Sequence, residues 1–204
     1  MSTRTESAPS AGRPRSELAH QAILDAALVL LVESGFSALT VEGVASRAGV
    51  GKATIYRRWP SKVHLVIEAF SQLPGLQEVD TGELATDLEM MLRRYIEILN
   101  STPLAAIVPS LAGERAHNPE LSELFDPIVK ERRRPILNAL ERARRRGEIR
   151  QDLDLELAAD LIFGPIVMRV FFTGRRINPR ILRPVIEVVL RGIRADPSRR
   201  RRGG

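Results

Sequence analysis

The sequence predicts an all-α protein of about nine helices, and three observations carry that expectation. Apolar residues recur at steps of three and four, and nothing beyond the first four helical stretches alternates with period two, so no strand is expected. The periodic stretches open on Ser, Thr or Asn-Pro and are broken by Gly or Pro. Hydrophobic residues make up 44% of the 204, enough for a core at this length.

Residues 1–14, rich in Ser, Ala, Pro, Thr and Gly, are expected to form a disordered arm. From Arg15 to Ser34, Ala19, Ile23, Ala26 and Leu30 share a face, and Gly35 stops the helix. Thr40 caps a short helix carrying Val41, Val44 and Ala45, which ends near Ala48 with a turn at Gly49. A third helix runs from Gly51 to Arg57, and Ser61 caps a fourth that ends near Phe70. "QLPGLQEVDTG" is a connector. Further helices are expected over 83–100, 103–116, 119–146, 154–173 and 178–195. Pro119 suits a first helical position, whereas Pro127 and Pro135 are expected to kink or interrupt their helix.

The absence of cysteine excludes disulfides, thiol catalysis and thiolate metal sites. The N-terminus has no apolar signal region, and no apolar run approaches the ~20 residues of a membrane span. The expectation is a soluble cytoplasmic protein with no membrane partner. A net charge of +6 permits an acidic partner but does not locate it. Arg199 to Arg202 form a basic tail, and Lys130 to Arg150 hold nine bases against three acids. Thr40 to Lys62 is smaller but cleaner, with Arg47, Lys52, Arg57, Arg58 and Lys62 against Glu42 alone.

That last stretch is a helix, a glycine turn and a second short helix, which is the helix-turn-helix plan. A helix that enters a major groove must offer donors and slim side chains, and Lys52, Ala53, Thr54, Arg57 and Arg58 are such a set. Thr40, Tyr56 and Lys62 lie at helix ends, where a phosphate is favoured. Val44, Ala48, Val50 and Ile55 supply the apolar seam. Trp59 either closes the second helix against the start of the fourth or contacts DNA.

The run "LTVEGVASRAGVGKATIYRRWPSKVHLVIEAF", with "AILDAALVLLVESGFSALT" leading into it, resembles the DNA-binding segment of the tetracycline-repressor (TetR) family. The resemblance implies a three-helix DNA-binding head within 15–75, a helical ligand-binding and dimerisation body within 76–197, and a basic tail over 198–204. It also implies a homodimer, a double-stranded operator as partner, no enzymatic activity and no cofactor. By position, Thr40, Tyr56 and Lys62 match phosphate-contacting sites, and Lys52 through Arg57 match the recognition helix. Many members have Ser where Gly51 stands, so the phosphate contact of that hydroxyl is missing here.

Gly12-Arg13-Pro14-Arg15 resembles an AT-hook core that could lie in a minor groove, against a plain tail. "AGVGKAT" is no phosphate loop, because Ala53 replaces the required Ser/Thr. His20, His64 and His117 lack metal-ligand spacing, and no nucleophile motif is legible, so neither a metal nor an enzyme is expected.

In "DLELAADLIFGPIVMRVFFTG", Leu157, Leu161, Gly164, Met168 and Phe171 form one face, with Ile162, Ile166, Val170 and Phe172 on others. The last helix offers Leu182, Ile186, Val189 and Ile193, with Ile181, Val185 and Val188 beside them. Helices apolar over so much of their circumference need cover on more than one side. Leu161, Met168, Leu182, Ile186, Val189 and Ile193 are therefore expected at a dimer interface, similar to the family's four-helix bundle. Met91, Tyr95, Ile107, Leu111, Phe125 and Phe163 are available to line a pocket for a small hydrophobic ligand, although ordinary core accounts for most such residues. Arg169 is an intersubunit ion-pair residue, a pocket anchor or a rim residue. The functional expectation is a dimeric repressor released from a pseudo-palindromic operator by that ligand. The alternative is a regulator of the same fold without an inducer, controlled by a protein partner or by abundance, which a tightly filled body would favour.

Overall fold

The computed structural model describes residues 12–173 and 177–194, with side chains from Ser16 onward. Among them the elements are helical: α1 (Gly12–Ala38), α2 (Val41–Ala48), α3 (Lys52–Tyr56), α4 (Lys62–Ser71), α5 (Leu84–Ser101), α6 (Leu104–Glu114), α7 (Pro119–Arg146), α8 (Leu155–Val167) and α9 (Leu182–Ile193). A π-helical turn, Met168–Phe172, extends α8, and a 3-10 turn, Pro179–Ile181, precedes α9. The chain divides into two compact units between Gln72 and Leu73.

The first unit packs α2 and α4 against α1, with α3 carried on α2. Ile23, Leu24, Ala27 and Leu31 of α1 are fully buried with Val44, Ile55, Leu65, Val66 and Phe70. By length and composition α1 could cross a membrane, and Ile23, Leu24, Ala27 and Leu31 of it are buried in this core. The helix breaks at Gly35, whose φ of 77° is open to glycine without strain. Phe36 and Leu39 are thereby turned into the core as the chain enters α2.

In the second unit α5 packs on α7 and α9, and α8 packs on both of those. Leu88, Leu92, Ile107, Leu111, Ile136, Leu140, Ile162 and Ile166 form its centre. Asp87 is fully buried, and its Oδ1 accepts from the amide and hydroxyl of Thr81 at 2.7 Å each, which folds the incoming strand of chain onto α5.

Three expectations are corrected. Backbone helix begins at Gly12 rather than Arg15, so the Gly12-to-Arg15 segment is not the extended arm predicted; its side chains, and the basic tail, lie outside the described residues. Pro127 and Pro135 do not interrupt α7, which runs unbroken from its Asn118 cap to Gly147. Each proline removes one backbone donor, and burial of Phe125, Pro135, Ile136, Ala139, Leu140 and Ala143 along one face offsets that loss. Finally, α8 gives way to the wider π turn at Met168, which re-aims the two phenylalanines at its end.

Candidate nucleic-acid interface

Thr40 caps α2, its Oγ1 accepting from the Gly43 amide at 3.1 Å. Gly49 ends the helix in the left-handed region at φ 67° and returns its N–H to the carbonyls of Ala45 and Ser46. Gly51 then stands as the N-cap of α3 with no side chain to cap it. Ile55 is buried against α2, which sets the rotation of α3. Lys52, Ala53, Tyr56 and Arg57 are consequently exposed along one face, while Thr54 is half-buried at its edge. Val44 and Ile55 form the centre of the seam, with Ala48 and Val50 half-buried beside them.

The cations of this region divide sharply. Arg57 has no hydrogen bond or ion pair among the described residues, and Lys52 reaches Glu42 at 2.5 Å across the turn. That contact holds the Glu42 carboxyl below its usual range. Arg47 grips Glu33 with two nitrogens, at 2.6 and 2.9 Å. Arg58 is turned back to α1, donating to the Ser16 hydroxyl at 2.6 Å and lying 2.9 Å from His20 Nδ1. Lys62 directs its ammonium to the carbonyls of Phe36, Ser37 and Leu39 at 3.1, 3.4 and 3.2 Å, above the Phe36 ring. Those carbonyls sit around the break in α1 and take up every proton of the ammonium, so Lys62 staples α4 to that corner. Trp59 is buried, donates to Glu68 at 2.6 Å and stacks on His20, so its place is in the core. Sequence reasoning missed these partners: Glu33, Glu42, Glu68, His20 and Ser16 carry no motif.

Most arginines of the other basic stretch are engaged within their own unit. Arg132 donates to the carbonyls of Leu73 and Pro74, Arg142 to Val79 and Glu78, and Arg133 to Asp160. Arg134 pairs with Glu131, Arg144 and Arg145 with Glu141, and Arg146 with Glu148. The charge of α7 fastens the second unit together, and on the face of α3 Arg57 keeps a guanidinium without a partner among the described residues.

A family model described as bacterial regulatory proteins, tetR family, matches residues 23–69, and one described as tetracyclin repressor-like, C-terminal domain, matches residues 78–189. The chain belongs to the TetR family. It is a DNA-binding transcriptional regulator of that family. An uncharacterized HTH-type transcriptional regulator, YdeS of Bacillus subtilis, is 35% identical over 92% of this chain and 96% of its own. The DNA-binding transcriptional repressor TetR of Mycobacteroides abscessus is 32% identical over 86% of this chain and 94% of its own. Among solved structures, FadR from Bacillus subtilis in complex with stearoyl-CoA superposes with a TM-score of 0.69, covering 85% of this chain and 99% of that one. At 23% identity that likeness is one of fold.

In this TetR-family chain most of the predicted ligand set is buried. Met91, Ile107, Leu111 and Phe125 are buried, and Tyr95 meets Phe163 edge-on with centroids 5.3 Å apart. Burial pushes the Tyr95 hydroxyl up to about 12. Arg169 is exposed. A cavity of about 860 Å³ opens between α6, α7, α8 and the π turn, and of the predicted set only Phe125 lines it. The predicted interface also splits. Leu161 and Met168 are half exposed, as is Leu157, and Val188 is 72% exposed. Leu182, Ile186 and Ile193 are instead buried in the unit's own core, because α9 turns that edge toward α5 and α8. Val189 lies half-buried between the two faces.

Proposed function

We propose that this regulator is a dimeric repressor that holds a pseudo-palindromic operator through α3 and is released by a small apolar ligand. The observation that carries the DNA-binding part is the single exposed face of Lys52, Ala53, Tyr56 and Arg57, beside the capped start of α2 at Thr40. Donors and a slim alanine on one face suit base edges, and the Thr40 hydroxyl at a helix start suits a phosphate. The repressor named among its relatives supports the sign of regulation. The exposed Leu157, Leu161 and Met168 of α8 and its π turn, with Val188 exposed on the adjacent α9, support self-association, since large exposed apolar side chains on adjacent helices call for a partner. The cavity supports a ligand: its volume falls within the roughly 300–1,000 Å³ typical of small-molecule sites.

The test is a footprint on the DNA that flanks its own gene. Protection should cover two half-sites whose centres lie about 34–36 Å apart, or a multiple of that. Lys52→Ala should change the preference at particular base pairs by about 1–3 kcal/mol, and Arg57→Ala should do the same or weaken binding to all sequences. If both variants footprint like the wild type, α3 is not the reading helix.

A further inference from the structure

Within the ligand-responsive reading above, we infer that the cavity between α6, α7, α8 and the π turn binds an amphiphile with one negative charge, which Lys130 holds at the rim. Phe125, Val129, Leu137, Val167 and Phe171 give the cavity an apolar wall along which a hydrocarbon body can lie. Three cations stand at its edge, and two are already ion-paired, although the buried Arg133 Nε keeps a donor without a partner among the described residues. Arg115 forks onto both oxygens of Asp126, at 2.7 and 2.9 Å, which holds that carboxyl below its usual range. Arg133 reaches Asp160 at 2.6 Å and Glu156 at 3.2 Å.

Lys130 alone has no hydrogen bond or ion pair among the described residues. Asp126, Lys130 and Arg133 share one face of α7 by their spacing. The carboxylate one turn from Lys130 is nevertheless taken, since Arg115 occupies both its oxygens and the Ser122 hydroxyl adds a third donor at 3.1 Å. An apolar wall beside one unmatched ammonium fits an apolar chain that ends in a carboxylate or an equivalent monoanion. It does not fit a ligand whose head is a polyphosphate, such as the coenzyme A thioester in the FadR structure, because the other cations of the rim are already paired.

The experiment is calorimetry of the full-length protein with dodecanoate, dodecanol and dodecanoyl-CoA. Wild type should bind dodecanoate roughly five-fold tighter than dodecanol, the size of one partly exposed charge pair. K130M should abolish that preference and leave dodecanol unchanged, and the thioester should bind no tighter than dodecanoate. Ala112→Trp, which fills the cavity from α6, should weaken all three. A preference that survives K130M, equal binding of acid and alcohol by wild type, or a clear preference for the thioester overturns the charge assignment and leaves a ligand-binding body intact. Failure of all three to bind overturns the cavity as a site. A dodecanoate that binds as described but does not weaken operator binding would count against the induction reading alone.

Discussion

Lys62 shows how one side chain can match a motif and yet be committed elsewhere. By position it matches a phosphate-contacting site of the family, and its ammonium is ringed by the Phe36, Ser37 and Leu39 carbonyls. Lys62→Met keeps the stem and removes the donors. It should cost about 2 kcal/mol of stability, the scale of charged hydrogen bonds to half-buried acceptors. The slope of log affinity against log salt should not change, whereas a lost phosphate contact would lower it by about 0.9. Denaturation and a salt series on the same variant separate the two roles. Gly51 is the converse case, since a Cβ there meets nothing within 4 Å and φ is −75°. Gly51→Ser should stabilise by a few tenths of a kcal/mol through the missing cap of α3. It should also tighten DNA binding by supplying the hydroxyl that many family members carry. Tighter folding without tighter binding would mean that α3 approaches DNA differently.

At the scale of elements, α8 and α9 hold the question of assembly. Both are apolar over much of their circumference, and burial now separates the two faces of α9. Leu161→Glu places a charge on the exposed side of α8 and should give a folded monomer, because an unpaired charge cannot be buried at an apolar interface. Ile186→Ala should instead destabilise the fold by about 2–4 kcal/mol, since it empties a core position. Light scattering and thermal unfolding on the pair decide the phase: a wild-type monomer at micromolar concentration, or a fully dimeric Leu161→Glu, would remove the bundle. The arginines of α7 carry a related lesson. Their sheer number made that helix the more basic stretch, yet they are spent on carbonyls and carboxylates of their own unit.

At the scale of the whole molecule, the proposed regulation is a coupling between two binding events. A ligand moves the protein off DNA only if it favours the arrangement that cannot bind operator. Taking that equilibrium from 1:99 to 99:1 needs about 5.5 kcal/mol of differential affinity. Linkage makes the effect reciprocal, so a true inducer must bind more weakly once operator is present. Calorimetry of a candidate with and without operator should therefore give unequal affinities, and equal ones would show that the compound is no inducer, however tightly it binds.

The helices, the turn at Gly49 and the family were legible in the sequence because they depend on local rules. Caps such as Thr40, Asn118 and Ser61 bond to amides three residues away, and a left-handed turn needs its glycine wherever it occurs. Ile55 as the anchor of α3, and Lys52, Ala53 and Arg57 on its outward face, followed from helical periodicity, whereas packing half-buried Thr54, turned Arg58 back to α1 and left Tyr56 exposed beside them. Tertiary structure decided which charges remained available, because an ion pair such as Arg47 with Glu33 joins residues that no local pattern connects. It also decided where the cavity opens. Core and pocket residues are drawn from the same apolar types, so Met91 and Ile107 could not be told from Val129 and Phe171 until the helices were packed. Likewise, both faces of α9 read as apolar, and only the positions of α5 and α8 assigned Ile186 to the core and Val188 to the surface.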